Sequence, residues 1–272
     1  MMKVTVLVDN DTLVRMNFQV EPALSFYVEE GGKKILFDTG FSDLFLKNAQ
    51  ILGIDLTDLD AIVFSHGHDD HMGGLYHLME YYKARQVEEK ADLILHPNAL
   101  CPKCLNGKNM GNVLSPELLE GYFNIIPVSG SYALTPHLTF LGQIPRVLEF
   151  ENTHSKVVTK LNGDWEEDKL LDDTSLVFDG EEGLVILSGW AHAGICNTVE
   201  AAKAITGKNK IQDWEYQQQA EYPFFHIVRS SRAFLLFFYW GNPISITTAA
   251  FLFSQRGRRM CPLSLNTSAQ SL

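Results

Sequence analysis

The sequence has few cysteines and no N-terminal apolar run of the kind that directs secretion. Its 272 residues include four cysteines, which make no obvious disulfide framework in a chain of this length. The first ten residues, MMKVTVLVDN, contain no apolar segment of signal-peptide length. Together these two absences predict a cytoplasmic protein.

Positive charge is also scarce. The chain carries 22 lysine and arginine residues against 33 acidic ones, and its formal net charge is −11. An excess of negative charge disfavours binding to a nucleic-acid backbone, so we expect no nucleic-acid partner. The hydrophobic fraction of 46% and the charged fraction of 20% are ordinary for a soluble globular protein with a large core.

Acidic residues and lysine are missing from the end of the chain. All 33 acidic residues lie in 1–221, whereas 222–272 holds five arginines and no lysine. Such a shift in composition marks a boundary, which we place near Ile211. We therefore predict a domain at 1–211 and an atypical basic, aromatic-rich tail at 212–272, produced by a frameshift, a gene fusion or a replaced terminus.

One stretch of this tail, 233–253, has no charged residue and is long enough to span a bilayer. The turn sequence Gly241-Asn242-Pro243 interrupts it, and three hydroxyl residues follow. Two buried strands or short helices around that turn fit this pattern better than a membrane span. We therefore expect no membrane association.

Apolar periodicity predicts short strands separated by helices. Strands are predicted at 4–8, 25–29, 34–37, 60–64, 93–95, 123–128, 138–140, 148–150, 176–178 and 184–187. Helices are predicted after Ser42, after Gly74 and at 197–205. Strands in two clusters, broken by helices, predict an α/β fold of two packed sheets covered by helices.

The segment 65–71, SHGHDDH, is the most informative part of the chain. It places three imidazoles and two carboxylates at the end of an apolar strand. This combination suits zinc and neighbouring first-row metals, and such a cluster would be costly in a core without an ion. The predicted metal ligands are His66, His68, Asp70 and His71, with zinc as the expected ion and iron or manganese as alternatives.

The pattern His66-x-His68-x-Asp70-His71 resembles the metal signature of the metallo-β-lactamase fold superfamily. The sequence KILFDTG at 34–40 resembles the strand and turn that precede the metal loop in this fold, and LVILSG at 184–189 resembles the later strand that returns to the metals. The resemblance implies an αββα four-layer sandwich over about residues 4–211. It also implies that the first two histidines hold one ion, while the aspartate and the last histidine help to hold a second.

Four further residues are candidates for the site. His192 follows an apolar strand and precedes a helix, which favours binding of metal or substrate over a packed or capping histidine. Asp38 resembles the family's acid that orients ligating imidazoles, although a plain turn aspartate is an equal alternative. Asp172 and Asp173 precede a strand at a position where many members carry a ligand, and either could bind metal or form a turn.

A subgroup of the superfamily is the nearest match. The sequences at 172–176, 183–189 and 192–199 are similar to archaeal dihydropterin ribofuranosyl-aminobenzene phosphate synthases and to bacterial metal-dependent hydrolases related to them. Trp190 stands where these proteins usually carry cysteine. Their Gly-Gly-x-His and Cys-His-Cys-Thr-Gly stretches, which lie beyond the position of Ile211, are absent here.

This resemblance implies an enzyme that acts on a small molecule. Water activated by the metals would attack a phosphoester, ester or amide, or the metals would polarise a pterin-like substrate. Asp70 and His192 are the predicted catalytic residues. Because the late motifs are absent, the alternative is a catalytically impaired metal- or ligand-binding protein of the same fold. A ribonuclease of this fold is disfavoured by the net charge.

Overall fold

A computed structural model describes residues 1–11, 17–151, 154–161, 163–216, 249–251 and 262–264. The chain divides into two compact units, Met1–Gln217 and Gln218–Leu272. Each unit is considered by itself below.

Strands and helices alternate through the first part of the first unit. In chain order these elements are β1 (Lys3–Val8), β2 (Ser25–Glu30), β3 (Lys33–Phe37), α1 (Leu44–Leu52), β4 (Ala61–Val63), α2 (Asp69–Met72), α3 (Leu75–Arg85), β5 (Asp92–Leu95), a 3₁₀ turn (Pro97–Leu100), β6 (Lys103–Leu105), β7 (Lys108–Asn109), α4 (Pro116–Glu120) and β8 (Asn124–Pro127).

The later part of the first unit consists mainly of strands. Its elements are β9 (Tyr132–Ala133), β10 (Leu138–Phe140), a 3₁₀ turn (Glu149–Glu151), β11 (Val158–Leu161), β12 (Asp164–Glu167), β13 (Ser175–Asp179), β14 (Leu184–Ser188), α5 (Ile195–Thr206) and β15 (Ile211–Tyr216).

Two sheets form the centre of this unit. The first has the order β1-β2-β3-β4-β5-β8, antiparallel from β1 to β3 and parallel from β3 to β8. The second has the order β15-β14-β13-β10-β9. Its strands β13 and β14 form an antiparallel hairpin, in which Ser175 lies opposite Ser188. The smaller sheet β12-β11-β6-β7 accompanies these two.

Side-chain alternation along the strands separates the core into three layers. Leu36 and Ile62 face the helices α1 and α3. Their neighbours Phe37 and Val63 point to the opposite side, where they pack in one buried cluster with residues of the second sheet such as Leu176. On the outer side of the second sheet, residues of β13 and β14 pack with α5. This order of layers is the predicted αββα sandwich.

Two predictions of local structure are wrong. Residues 148–150 do not form a strand, because the chain makes a 3₁₀ turn at Glu149–Glu151. The carboxylate of Glu151 accepts the N–H groups of Cys196 and Asn197 at the start of α5, at 2.8 and 2.7 Å. The stretch 98–118, in which no strand is predicted, contains β6 and β7. Apolar periodicity does not reveal these strands, because they are short and contain polar residues.

The first unit runs past Ile211, where we placed the compositional boundary. Strand β15 pairs in parallel with β14 as far as Tyr216, which adds a fifth strand to the second sheet. Apart from β15, residues 212–272 lie mostly outside the described part of the chain, so the origin of this tail stays a prediction.

In the second unit the described strands are β16 (Ala249–Phe251) and β17 (Pro262–Ser264), which pair antiparallel. The uncharged stretch 233–253 falls largely on residues outside the description. Within the described ranges, no helix has the length and apolar character needed to cross a membrane.

Candidate metal centre

The candidate site lies at one edge of the two central sheets. Because β3 and β4 run parallel, Asp38 at the end of β3 and His66 beyond β4 reach the same edge. The antiparallel hairpin of β13 and β14 brings Asp172, Asp173 and His192 to that edge as well. The site is thus assembled from strand ends that are distant in sequence.

Three imidazoles converge there, two of them buried and the third, His192, half-buried. The Nε2 atom of His66 lies 3.0 Å from Nδ1 of His68 and 3.2 Å from Nε2 of His192. His66 is 0% exposed and His68 is 7% exposed. We call these three residues the histidine cluster, and their nitrogens lie close enough together to hold one ion.

The hydrogen bonds around Ser65 determine which nitrogen of His66 faces the cluster. The Ser65 hydroxyl donates to Asp38 Oδ2 at 2.7 Å, since a carboxylate can only accept. The same oxygen must then accept from the Nδ1–H of His66, 2.9 Å away. This arrangement leaves Nε2 of His66 with a lone pair directed at His68 and His192. It is the tautomer that metal binding requires.

A second group consists of His66, Asp70 and His71. Their ligand atoms also lie within 4.8 Å of one another. The Nδ1–H of His71 donates to Asp38 Oδ2 at 2.7 Å, and Nε2 of His71 lies 3.5 Å from Asp70 Oδ2. The carboxylate of Asp38 thus lies between the two histidines, and its role as a supporting acid stays a prediction. Asp38 contacts one histidine directly and another through Ser65.

Burial and neighbouring charge move the pKa values of these histidines in opposite directions. Burial, with the adjacent imidazoles, holds the pKa values of His66 and His192 well below 6.5, so both rings are neutral at pH 7. Burial also opposes protonation of His71. The carboxylates of Asp70 and Asp38 outweigh that effect and raise the pKa of His71 to about 10.

Asp172 and Asp173 lie beside the histidines and hold backbone groups. Asp172 accepts the N–H of Gly67 at 2.8 Å, and Asp173 accepts the N–H of Ala193 at 2.8 Å. Burial raises the pKa of Asp173 to about 7. Neither belongs to a described group of three residues that could hold an ion. Both are placed to support the chain segments that carry His68 and His192.

Two residues of this site were missed by sequence reasoning. Ser65 directly precedes His66, so its position could have suggested a contact with the imidazole. Lys103 gave no such signal, because it lies between two cysteines in a stretch without periodicity. Its Nζ pairs with Asp168 and Asp172 at 2.6 and 3.2 Å.

The imidazole nitrogens of this site fit a metal ion as ligand atoms. Zinc bonds to imidazole nitrogen at about 2.0–2.1 Å, so two nitrogens of a tetrahedral site lie about 3.3 Å apart. The observed separations of 3.0 and 3.2 Å in the histidine cluster are close to this value. In the second group, the buried Nε2 of His71 has no hydrogen-bond partner in the described part of the chain. Such unpaired groups are costly unless something binds them.

Known proteins share this sequence pattern and fold. A family model described as the metallo-beta-lactamase superfamily matches residues 19–100. The 7,8-dihydropterin-6-methyl-4-(beta-D-ribofuranosyl)-aminobenzene-5'-phosphate synthase of Methanocaldococcus jannaschii is 30% identical over 208 residues, covering 71% of this chain and 69% of that protein. An uncharacterised protein of the same organism is 26% identical over 206 residues, covering 75% of each.

A solved structure agrees with these matches. It is described as a metal-dependent hydrolase of the beta-lactamase superfamily, is 28% identical, and superposes with a TM-score of 0.64 over 76% of this chain and 73% of its own. The predicted resemblance to the superfamily and to its dihydropterin synthase subgroup is confirmed. On its sequence and its fold, the chain belongs to the metallo-β-lactamase superfamily.

Proposed function

We propose that this protein is a metal-dependent enzyme, with zinc as its ion, that acts on a phosphoester, ester, amide or pterin-like small molecule. The observation that carries the proposal is the convergence of His66 Nε2, His68 Nδ1 and His192 Nε2 within hydrogen-bonding distance in a buried site. Neutral imidazole nitrogens that face one another are a poor arrangement for stability and a good one for a cation.

When bound, the ion supplies a Lewis acid and lowers the pKa of water to around 7. The chain's own residues have separate tasks around it. The histidine cluster would hold the first ion, and Asp70 with His71 would help to hold a second. The Asp70 carboxylate, about one-fifth exposed, would also orient the attacking water and accept its proton. His192 would contribute a ligand nitrogen and help to position the substrate.

The relatives support this choice of substrates. The curated relative is named for its synthesis of a pterin-containing phosphate, which supports a pterin-like phosphate as substrate. The solved structure is described as a metal-dependent hydrolase, which supports hydrolysis as the reaction. The binding-protein alternative keeps the metal centre without turnover, and the experiments below separate it from the enzyme.

The first prediction concerns metal content. His66→Ala and His68→Ala should each remove the tightly bound ion, because each deletes one ligand of a three-histidine site. Elemental analysis of the purified protein should find one tight ion per chain, with a weaker second. His154→Ala is the matched control, since that side chain is 98% exposed. Full retention of metal in the His66→Ala/His68→Ala double variant would contradict the proposal.

The second prediction concerns protons released when metal binds. At pH 6.5 the rings of His66 and His192 are already neutral, whereas His71, with its pKa raised to about 10, carries a proton that must leave. The second ion should therefore release about one proton more than the first, and its affinity should rise about tenfold per pH unit below pH 10.

Calorimetry in buffers of different ionisation enthalpy measures this release. Asp38→Asn should reduce it for the second ion, because the variant removes a carboxylate that raises the pKa of His71. Asp164→Asn, on the exposed strand β12, should leave it unchanged. Equal proton release for both ions in the native protein would show that His71 does not bind metal.

The third prediction separates catalysis from binding. Asp70→Asn should retain most of the first ion, whose ligands are the histidine cluster, while turnover falls about 100-fold or more through loss of the base. Asp69→Asn changes the neighbouring carboxylate, which belongs to neither metal group, and should keep activity. Activity is measured on phosphoesters, lactones and pterin precursors at about pH 6–9. Metal binding with no turnover in that range would favour the binding-protein alternative.

A further inference from the structure

Lys103 in β6 is a buried lysine that the proposed function does not use. Its side chain is 0% exposed, and its Nζ lies 2.6 Å from Asp168 Oδ2 and 3.2 Å from Asp172 Oδ2. Taking an ammonium and two carboxylates out of water costs as much free energy as their attraction returns, so stability alone does not account for such a group.

Asp172 connects this ion pair to the metal-binding loop. The same Oδ2 atom that faces Lys103 accepts the N–H of Gly67 at 2.8 Å. Gly67 separates His66 from His68, so this hydrogen bond acts on the backbone between two cluster residues. A Cβ atom on Gly67 would lie 2.2 Å from the carbonyl oxygen of Ala99, which shows how closely the loop is held on that side.

The strand that carries Lys103 is also bonded to the loop through its backbone. The N–H of Met110 donates to the Lys103 carbonyl at 3.0 Å, and the N–H of Asp69 donates to the Met110 carbonyl at 2.9 Å. His68 and Gly111 form an isolated bridge beside them. The hairpin of β6 and β7 therefore contacts the loop on both sides of His68, once through Asp172 and once through the main chain.

We propose that Lys103 positions the metal-binding loop, by holding the Asp172 carboxylate where it accepts the N–H of Gly67 between His66 and His68. The inference rests on the proposed function in that the loop binds an ion, but the hydrogen bonds it uses join groups of the chain itself. Without the ammonium, the Asp172 carboxylate would lose the charged partner that holds it in place and would withdraw from the N–H of Gly67. Lys103 is thus a positioning residue that touches neither ion nor substrate.

The first test separates positioning by Asp172 from direct metal binding. An asparagine at 172 keeps an oxygen that accepts from Gly67, whereas a leucine of similar size does not. Asp172→Leu should weaken zinc binding about 10- to 100-fold, the usual effect of losing a group that supports a ligand. Asp172→Asn should weaken it about fivefold or less, since a neutral acceptor replaces a charged one. Equal losses in both variants would mean that Asp172 is a ligand and would overturn the inference.

The second test changes Lys103 itself. Lys103→Met should weaken zinc binding, measured by competition with a chelator, about as much as Asp172→Leu. Asp168→Asn is the control, because Asp168 reaches the loop only through Lys103. The zinc affinity of this variant should match that of the native protein. If Lys103→Met does not fold, Lys103→Met/Asp168→Asn removes one charge of each sign and should show the same loss. Native affinity in whichever of these two variants folds would overturn the inference.

Amide hydrogen exchange in metal-free protein tests this inference independently of the proposed function. In metal-free protein, amide hydrogen exchange in the peptide covering 64–71 should be faster than native in Asp172→Leu and in the Lys103→Met variant that folds. It should be native in Asp172→Asn and Asp168→Asn. If the native protein binds no zinc, the proposed function fails, and exchange alone then decides about Lys103. Native exchange rates in the leucine and methionine variants would overturn the inference.

Discussion

The carboxylate of Asp38 is the group on which the rest of the site depends. It accepts three hydrogen bonds at 2.7–2.8 Å, from the backbone N–H and the hydroxyl of Ser65 and from Nδ1 of His71. Asp38 itself adopts a left-handed conformation, with φ of 59°, and its own N–H donates to the carbonyl of Val63. One buried residue thus joins the ends of β3 and β4 to the short helix α2. Through these bonds it directs the Nε2 atoms of His66 and His71 toward the candidate ions.

Close packing leaves this arrangement little room to relax. A Cβ atom at Gly189, just beyond β14, would lie 2.1 Å from the Ser65 hydroxyl oxygen. The end of the second sheet therefore rests directly on the serine that Asp38 holds, and the N–H of Thr174 donates to the Ser65 carbonyl at 2.9 Å. A shift of either sheet would disturb the hydrogen bonds that orient the imidazoles. The two-sheet core and the metal centre are mechanically coupled for this reason.

Sequence alone predicted the parts of the site that are local and left open the parts that tertiary structure decides. The cluster from His66 to His71 lies within one loop, so ligand chemistry and strand context were enough to find it. His192 is 126 positions from His66 and was predicted only from its place after an apolar strand. The structure shows that the Asp172 carboxylate accepts the N–H of Gly67. No sequence pattern near Asp172 reveals this contact, so the choice between ligand and supporting residue stayed open. The strands β6 and β7, which carry and flank Lys103, were missed because short polar strands have no periodicity to detect.

X-ray absorption at the zinc edge of the loaded protein shows whether the neutral imidazoles of the histidine cluster bind the metal ion. We expect a first shell of nitrogen and oxygen at about 2.0–2.1 Å, with the outer-shell scattering of three imidazoles, reduced to two in His192→Ala. A sulfur shell at about 2.3 Å, or a spectrum that His192→Ala leaves unchanged, would place the ion elsewhere and rule out the histidine cluster as its site.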